Sequence, residues 1–198
     1  AVCTLLGVVL VVLAPLLMCH SPRPLQRKGL LALVCAGVLV ALILVAFLPM
    51  PEGGALWELH ELLNGRAQDA FGSERIGVWR MTLEMTAQSP WFGLSPDAFY
   101  AAFRDYLDAT GQTILQNFDN PHNFFLQTMV NSGIPAALLL MLMCAAAIAG
   151  ALRKRETLPL AMMAVGFLMQ GMFTFSICLT SPMFYAILGL CAAKKAAE

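Results

Sequence analysis

Residues 29–49, GLLALVCAGVLVALILVAFLP, form an unbroken apolar run without a charged side chain. About 20 such residues in a helix cross the hydrocarbon core of a bilayer. A helix suits that setting because it pairs its backbone polar groups internally. IPAALLLMLMCAAAIAGAL (134–152) meets the same criterion, and AVCTLLGVVLVVLAPLLMC (1–19) is a third candidate span. From 157 to 193 the chain is again almost wholly apolar, too long for one span. Ser181-Pro182 supplies a turn signal there, so we read an outgoing helix over 158–178 and a short returning one over 183–193. With 59% hydrophobic and 12% charged residues and a mean hydropathy of +0.74, the chain lies outside the composition of soluble globular domains.

The expected fold class is therefore all-α: a multi-pass transmembrane helical protein with a helical extracytoplasmic loop subdomain. The expected organisation is two spans over 1–49 with a basic turn at 20–28, a loop over 50–133, and C-terminal spans over 134–198. Because the chain starts with Ala and is apolar at once, we read it as the C-terminal part of a longer multi-pass protein. No basic segment precedes 1–19, and further spans follow, which argues against a cleaved signal peptide. The six cysteines, Cys3, Cys19, Cys35, Cys144, Cys178 and Cys191, lie within or at the ends of apolar segments, where cysteine serves as a small packing residue. They make no CxxC or Cys/His metal spacing.

Charge gives the expected threading. Arg23, Arg27 and Lys28 follow the first run, Arg153, Lys154 and Arg155 follow the run after the loop, and Lys194 and Lys195 nearly close the chain. The positive-inside rule places all three clusters in the cytoplasm. The polar stretch 50–122 holds only four arginines against ten acids, a net charge of −6 in a chain that sums to zero. It belongs outside the cytoplasm on this reading.

The loop carries helical patterns. ALWELHELLNG (55–65) puts Leu56, Leu59, Leu62 and Leu63 on one stripe and stops at Asn-Gly, an interfacial or core-facing helix with His60 as a solvated surface group. SERIGVWRMTLEMTAQSP (73–90) is expected to start at a Ser73 cap, with Ile76, Trp79, Leu83 and Thr86 on its inner face. SPDAFYAAFRDYL (95–107) is expected to place Pro96 at the first helical position and Phe99, Ala102, Phe103 and Tyr106 inside. In NFDNPHNFFLQ (117–127) the expected cap is Asp119 or Asn120, so His122 falls in the first turn of a helix ending near 131. The positive end of a helix disfavours an imidazolium and keeps such a histidine in the form a general base needs. Gly133 then ends the helix, and Pro135 restarts the chain as a span.

Two pieces of this loop carry a family resemblance. The first, ERIGVWRMTLEMTAQSPWFGLSPDAF, has an Arg, three residues, a Trp, then Pro-x-x-Gly and a Phe. The second, PHNFFLQTMVNSGIP, has His-Asn, nine residues and a Gly. Together, on an outer loop between spans, they resemble the O-antigen ligase and O-antigen polymerase superfamily of bacterial inner-membrane proteins. The chain has Gly93-Leu94-Ser95 where the family often has Gly-x-Gly, and Ala136 where many ligases have a further Gly.

The resemblance implies a glycosyltransferase that moves a glycan from a polyprenyl-pyrophosphate carrier to an acceptor hydroxyl on the periplasmic face. It implies no metal, nucleotide or other cofactor. The implied partners are the lipid-linked donor, a lipid-anchored or protein acceptor and membrane lipid, with no nucleic acid. By the motif, Arg75 meets the pyrophosphate charge through its donor fork, and His122 activates the acceptor. Arg80, Arg104 and Asn123 are further candidates for substrate binding; Trp79, Gly93 and Gly133 are structural.

Two other readings stand beside it. A polymerase of the same class would take another polyprenyl-linked unit as acceptor, and His-Asn-x9-Gly favours the ligase. A transporter would show ionisable residues within its spans; the five spans hold none, and Gln170 is their only strongly polar amide. Nothing in the sequence fixes the separation of Glu84 and Asp97 that a glycoside hydrolase pair requires.

Overall fold

The computed structural model of the chain describes residues 24–153, 156–174 and 180–196. The candidate span 1–19, Lys154 and Arg155, and the end of the expected 158–178 helix lie outside the described residues. Among the described residues the structure is all-helical, with eight helices and no strand. The chain divides into two compact units at Ile76/Gly77.

In the first unit, α1 (Pro24–Phe47) is followed by α2 (Ala55–Leu63). α1 stops where Pro49 and Pro51 remove two backbone donors. Its last carbonyls have no partner inside the helix, and α2 supplies them. The ring Nδ1 of His60 lies 2.7 Å from the Val45 oxygen, and Asn64 Nδ2 donates to the Ala46 oxygen at 3.0 Å. His60 is thus a helix-end partner with a largely covered side chain, 16% exposed, and not the solvated group expected. Arg66 grips Glu61 with two donors, Nε at 2.8 Å and Nη2 at 2.7 Å. That pairing holds the Glu61 carboxyl below its ordinary range. α2 buries no residue, so its leucine stripe is not a core face.

The second unit holds most of α3 (Arg75–Gln88), which begins two residues before the division. It continues with α4 (Phe99–Thr110), α5 (Phe124–Ser132), α6 (Ile134–Ala151), α7 (Leu158–Gly171) and α8 (Ser181–Ala196). It has two cores. One joins Val78, Met81 and Met85 of α3 to Phe99, Phe103, Tyr106 and Leu107 of α4, with Phe118 and Val130. The other joins α6, α7 and α8 around Phe184, where Ala147, Ala151, Ala161 and Ala164 allow close approach of the backbones. Phe167 and Phe184 stack at 4.2 Å, and Phe124 meets both edge-on. Among the described residues α5 alone serves both cores, Phe124 in one and Val130 in the other.

The bounds of five helices and the inner face of α3 differ from expectation. α3 starts at Arg75, because Ser73 and Glu74 take left-handed φ angles of 59° and 64°. Its buried face is Val78, Met81, Thr82, Met85 and Thr86, whereas Leu83 is 50% exposed. The two threonines enter the core by bonding their hydroxyls to the Val78 and Thr82 carbonyls one turn back, at 2.7 and 2.8 Å. α4 starts at Phe99 after Ala98, because Ser95 and Asp97 are left-handed, at 107° and 61°; its expected inner stripe holds. α5 starts at Phe124, and α7 is shorter and α8 longer than expected.

Among the described residues, α6 is the one helix long and apolar enough to cross a membrane. Ala32–Phe47, Leu158–Gly171 and Ser181–Ala193 are shorter apolar helices. Cys144 and Cys191 are buried free thiols in the apolar core, in keeping with a packing role.

Candidate functional site

The segment Asn120-Pro121-His122-Asn123 lies where α5 begins, at the junction of the two cores of the second unit. Asn120 is buried, and its side-chain oxygen accepts the backbone N–H of His122 at 3.0 Å. This is an Asx turn, in which the amide replaces a backbone acceptor. It holds His122 at φ 49°, a left-handed conformation that costs a non-glycine residue about 1–2 kcal/mol. The ring Nδ1 of His122 lies 3.1 Å from the Asn120 backbone oxygen. A carbonyl only accepts, so Nδ1 carries the proton and, in the neutral ring, Nε2 carries the lone pair. Phe118 meets the half-buried ring edge-on, with centroids 5.5 Å apart.

Flanking residues fix the segment on both sides. Asn123 is the N-cap of α5: its Oδ1 accepts from the N–H groups of Phe125 at 3.0 Å and Leu126 at 3.1 Å. Its Nδ2 donates to the Met172 carbonyl just past α7, at 3.1 Å. Trp79 Nε1 donates to the Pro121 carbonyl at 2.8 Å, and its ring sits 6.1 Å from Phe173. His122 therefore precedes the cap and does not sit in the first helical turn. The Asn120 carbonyl sets which ring nitrogen carries the proton.

Gly93 and Gly133 serve as a pair of contact points. Both have positive φ, at 68° and 90°. A Cβ on Gly93 would come within 2.5 Å of the Asn131 backbone, and one on Gly133 would strike the backbone of Trp91 and lie 2.9 Å from the Phe92 nitrogen. The turn after α3 lies flat against the end of α5. Leu94 donates to the Val130 carbonyl at 2.7 Å, and Ile134 donates to the Pro90 carbonyl at 2.8 Å.

The candidate arginines have separate surroundings. Arg80 donates to Glu84 at 2.9 Å and to Gln112 at 3.0 Å. Arg104 donates to Asn117 at 3.3 Å. Both reach the segment between α4 and α5, which leads to His122. Tyr106 donates to Glu84, and Gln112 donates to the Tyr106 hydroxyl at 3.2 Å. The Tyr106 bond, followed by the Arg80 bond, holds the Glu84 carboxyl below its ordinary range, while Glu84 pushes the Tyr106 hydroxyl up. Arg75, partly buried, is the first residue of α3, whose first turn contains no acid.

Sequence reasoning passed over Asn120 as an orienting residue and the Glu84–Tyr106–Gln112 group. Asn-Pro is a turn signal that pointed to the first. No local signal marks the Met172 carbonyl as the partner of Asn123, because that contact joins residues 49 apart.

Among the described residues the structure is thus all-helical, and the second unit carries His122 at the junction of its two cores. The model of the O-antigen ligase family matches residues 3–141, and the chain belongs to that family. The family is one of glycosyltransferase-like ligases and polymerases of the bacterial inner membrane, which work on lipid-linked glycan donors and acceptors. No curated protein matches the chain.

Proposed function

We propose that the chain transfers a glycan from a polyprenyl-pyrophosphate carrier to an acceptor hydroxyl at the periplasmic face of the inner membrane. Family membership supports the reaction class. The observation that carries the residue roles is the bond from His122 Nδ1 to the Asn120 carbonyl, which makes Nε2 the basic atom of the ring. Nε2 takes the proton of the acceptor hydroxyl as its oxygen bonds to the anomeric carbon. The bond from that carbon to the pyrophosphate breaks, and polyprenyl pyrophosphate leaves with the electron pair.

Arg75 meets the leaving charge. A cation at the first position of a helix opposes the positive helix end. An anion bound there offsets both the arginine and the positive helix end. Asn123 positions His122 through the cap, and Arg80 and Arg104 hold the segment that leads to it. No step calls for a metal or nucleotide. α1 and α6 are read as spans flanking a periplasmic loop, with the basic clusters in the cytoplasm. His-Asn-x9-Gly favours a ligase, whose acceptor is a lipid-anchored core or a protein, over a polymerase.

The test is transfer by full-length protein in detergent, from a polyprenyl-pyrophosphate glycan to a candidate acceptor, with EDTA present. His122→Ala and Arg75→Ala, each checked for folding, are expected to lose transfer, and EDTA is expected to leave the wild type unchanged. Normal turnover by either variant overturns the role given to that residue, and loss of wild-type transfer in EDTA overturns the metal-free step.

A further inference from the structure

Trp91 and Phe92 are 71% and 86% exposed, side by side in the turn after α3. Their backbone is nevertheless held from both sides. Gly93 donates to the Ser89 carbonyl at 3.1 Å, Leu94 and Ser95 donate to the Val130 and Asn131 carbonyls at 2.7 and 3.2 Å, and Ile134 donates to the Pro90 carbonyl at 2.8 Å. Two large apolar side chains are thus presented outward from a fixed turn. The tip SPWFGLSP, residues 89–96, contains no charge.

The last of those bonds decides what covers them. Ile134 is the first residue of α6, the helix long and apolar enough to cross a bilayer. Pro90 is bonded to it, so Trp91 and Phe92 stand at the end of that span. This is the level at which hydrocarbon gives way to headgroups; tryptophan, with an apolar ring and a polar N–H, concentrates there, and Phe92 beside it adds apolar surface. Exposed apolar side chains of α6 continue from the same end: Leu138 at 52%, Leu139 at 67% and Leu142 at 66%.

We propose that Trp91 and Phe92 insert into the outer interface of the bilayer. The partner is lipid, at the boundary of headgroup and acyl chain. The inference rests on the reading above that α6 crosses the membrane with the loop outside.

The experiment uses full-length protein in phosphatidylcholine vesicles whose acyl chains are brominated at a shallow or a deep position. The Trp91 signal is the emission lost on Trp91→Phe, so the contributions of Trp57 and Trp79 cancel. We expect that signal to be quenched by shallow bromines more than by deep ones, and to resist aqueous iodide. Quenching by iodide with no response to bromolipid overturns the insertion. Leu142→Trp in the Trp91→Phe background reports the span separately. Its added emission is expected to respond most to deep bromines, since Leu142 lies about 12 Å along the helix from Ile134. If that emission responds and the Trp91 signal does not, the anchor alone fails. If neither responds, the membrane reading of α6 fails with it.

Discussion

His122 Nδ1 lies 3.1 Å from the backbone oxygen of Asn120, while the Asn120 side chain holds the His122 backbone N–H at 3.0 Å. One asparagine thus fixes both the conformation of the histidine and the atom that carries its lone pair. The two bonds are separable by substitution, because only the second uses the side chain.

Asn120→Ala removes the Asx turn and leaves the left-handed His122 unsupported. Transfer is expected to fall about tenfold to a hundredfold, the cost of a small misplacement of a reacting group. Asn120→Ser keeps a shorter acceptor for the same N–H and is expected to recover part of that loss. The check is transfer rate at saturating donor beside the melting temperature of each variant. A loss of rate that merely tracks a loss of melting temperature would place Asn120 in folding alone.

Gly93→Ala and Gly133→Ala each add a Cβ that collides with facing backbone at a positive φ. Each is expected to destabilise the loop by on the order of 3 kcal/mol. Gly111→Ala is the control: it shares a positive φ of 67° but meets nothing within 4 Å, so only the conformational cost applies. Thermal unfolding in detergent should rank Gly111→Ala well above the other two.

Glu84 adds an acid limb to stability. Its folded value is depressed, first by the Tyr106 hydroxyl and then by Arg80. A depressed carboxylate stabilises the fold above its unfolded value, about pH 4.3, and that contribution is lost as pH falls through the folded value. Melting temperature should therefore decline below about pH 4, with a shallower decline in Glu84→Gln. The Tyr106 hydroxyl is shifted upward, so its contribution persists at neutral pH and fades only in strong alkali.

Much of the helix order was legible, because apolar runs and terminators act locally. Gly133 and Pro135 bound α6 at Ile134 as expected, and Asn64-Gly65 ends α2. The errors cluster at Ser73, Glu74, Ser95, Asp97 and His122, five non-glycine residues with positive φ. Helix and turn preferences treat such residues as ordinary caps, so three helix starts were placed too early. On the inner face of α3, Thr86 is buried as expected, whereas Leu83 is exposed and Val78, Met81, Thr82 and Met85 are buried; Thr82 enters because its hydroxyl bonds within the helix, which polarity alone hides. At the site, the motif singled out His122, but its orientation depends on contacts from Asn120, Trp79 and Met172 that no single stretch displays.

The most direct measurement is single-turnover transfer by His122→Asn, with donor binding measured on the same preparation. Asparagine tolerates the left-handed conformation at this position, so the fold is expected to survive. If Nε2 is the base, turnover falls by about a hundredfold or more while the polyprenyl-pyrophosphate donor still binds. Near-normal turnover by a folded, donor-binding His122→Asn would contradict the role of the ring and leave His122 as part of the turn that leads into α5.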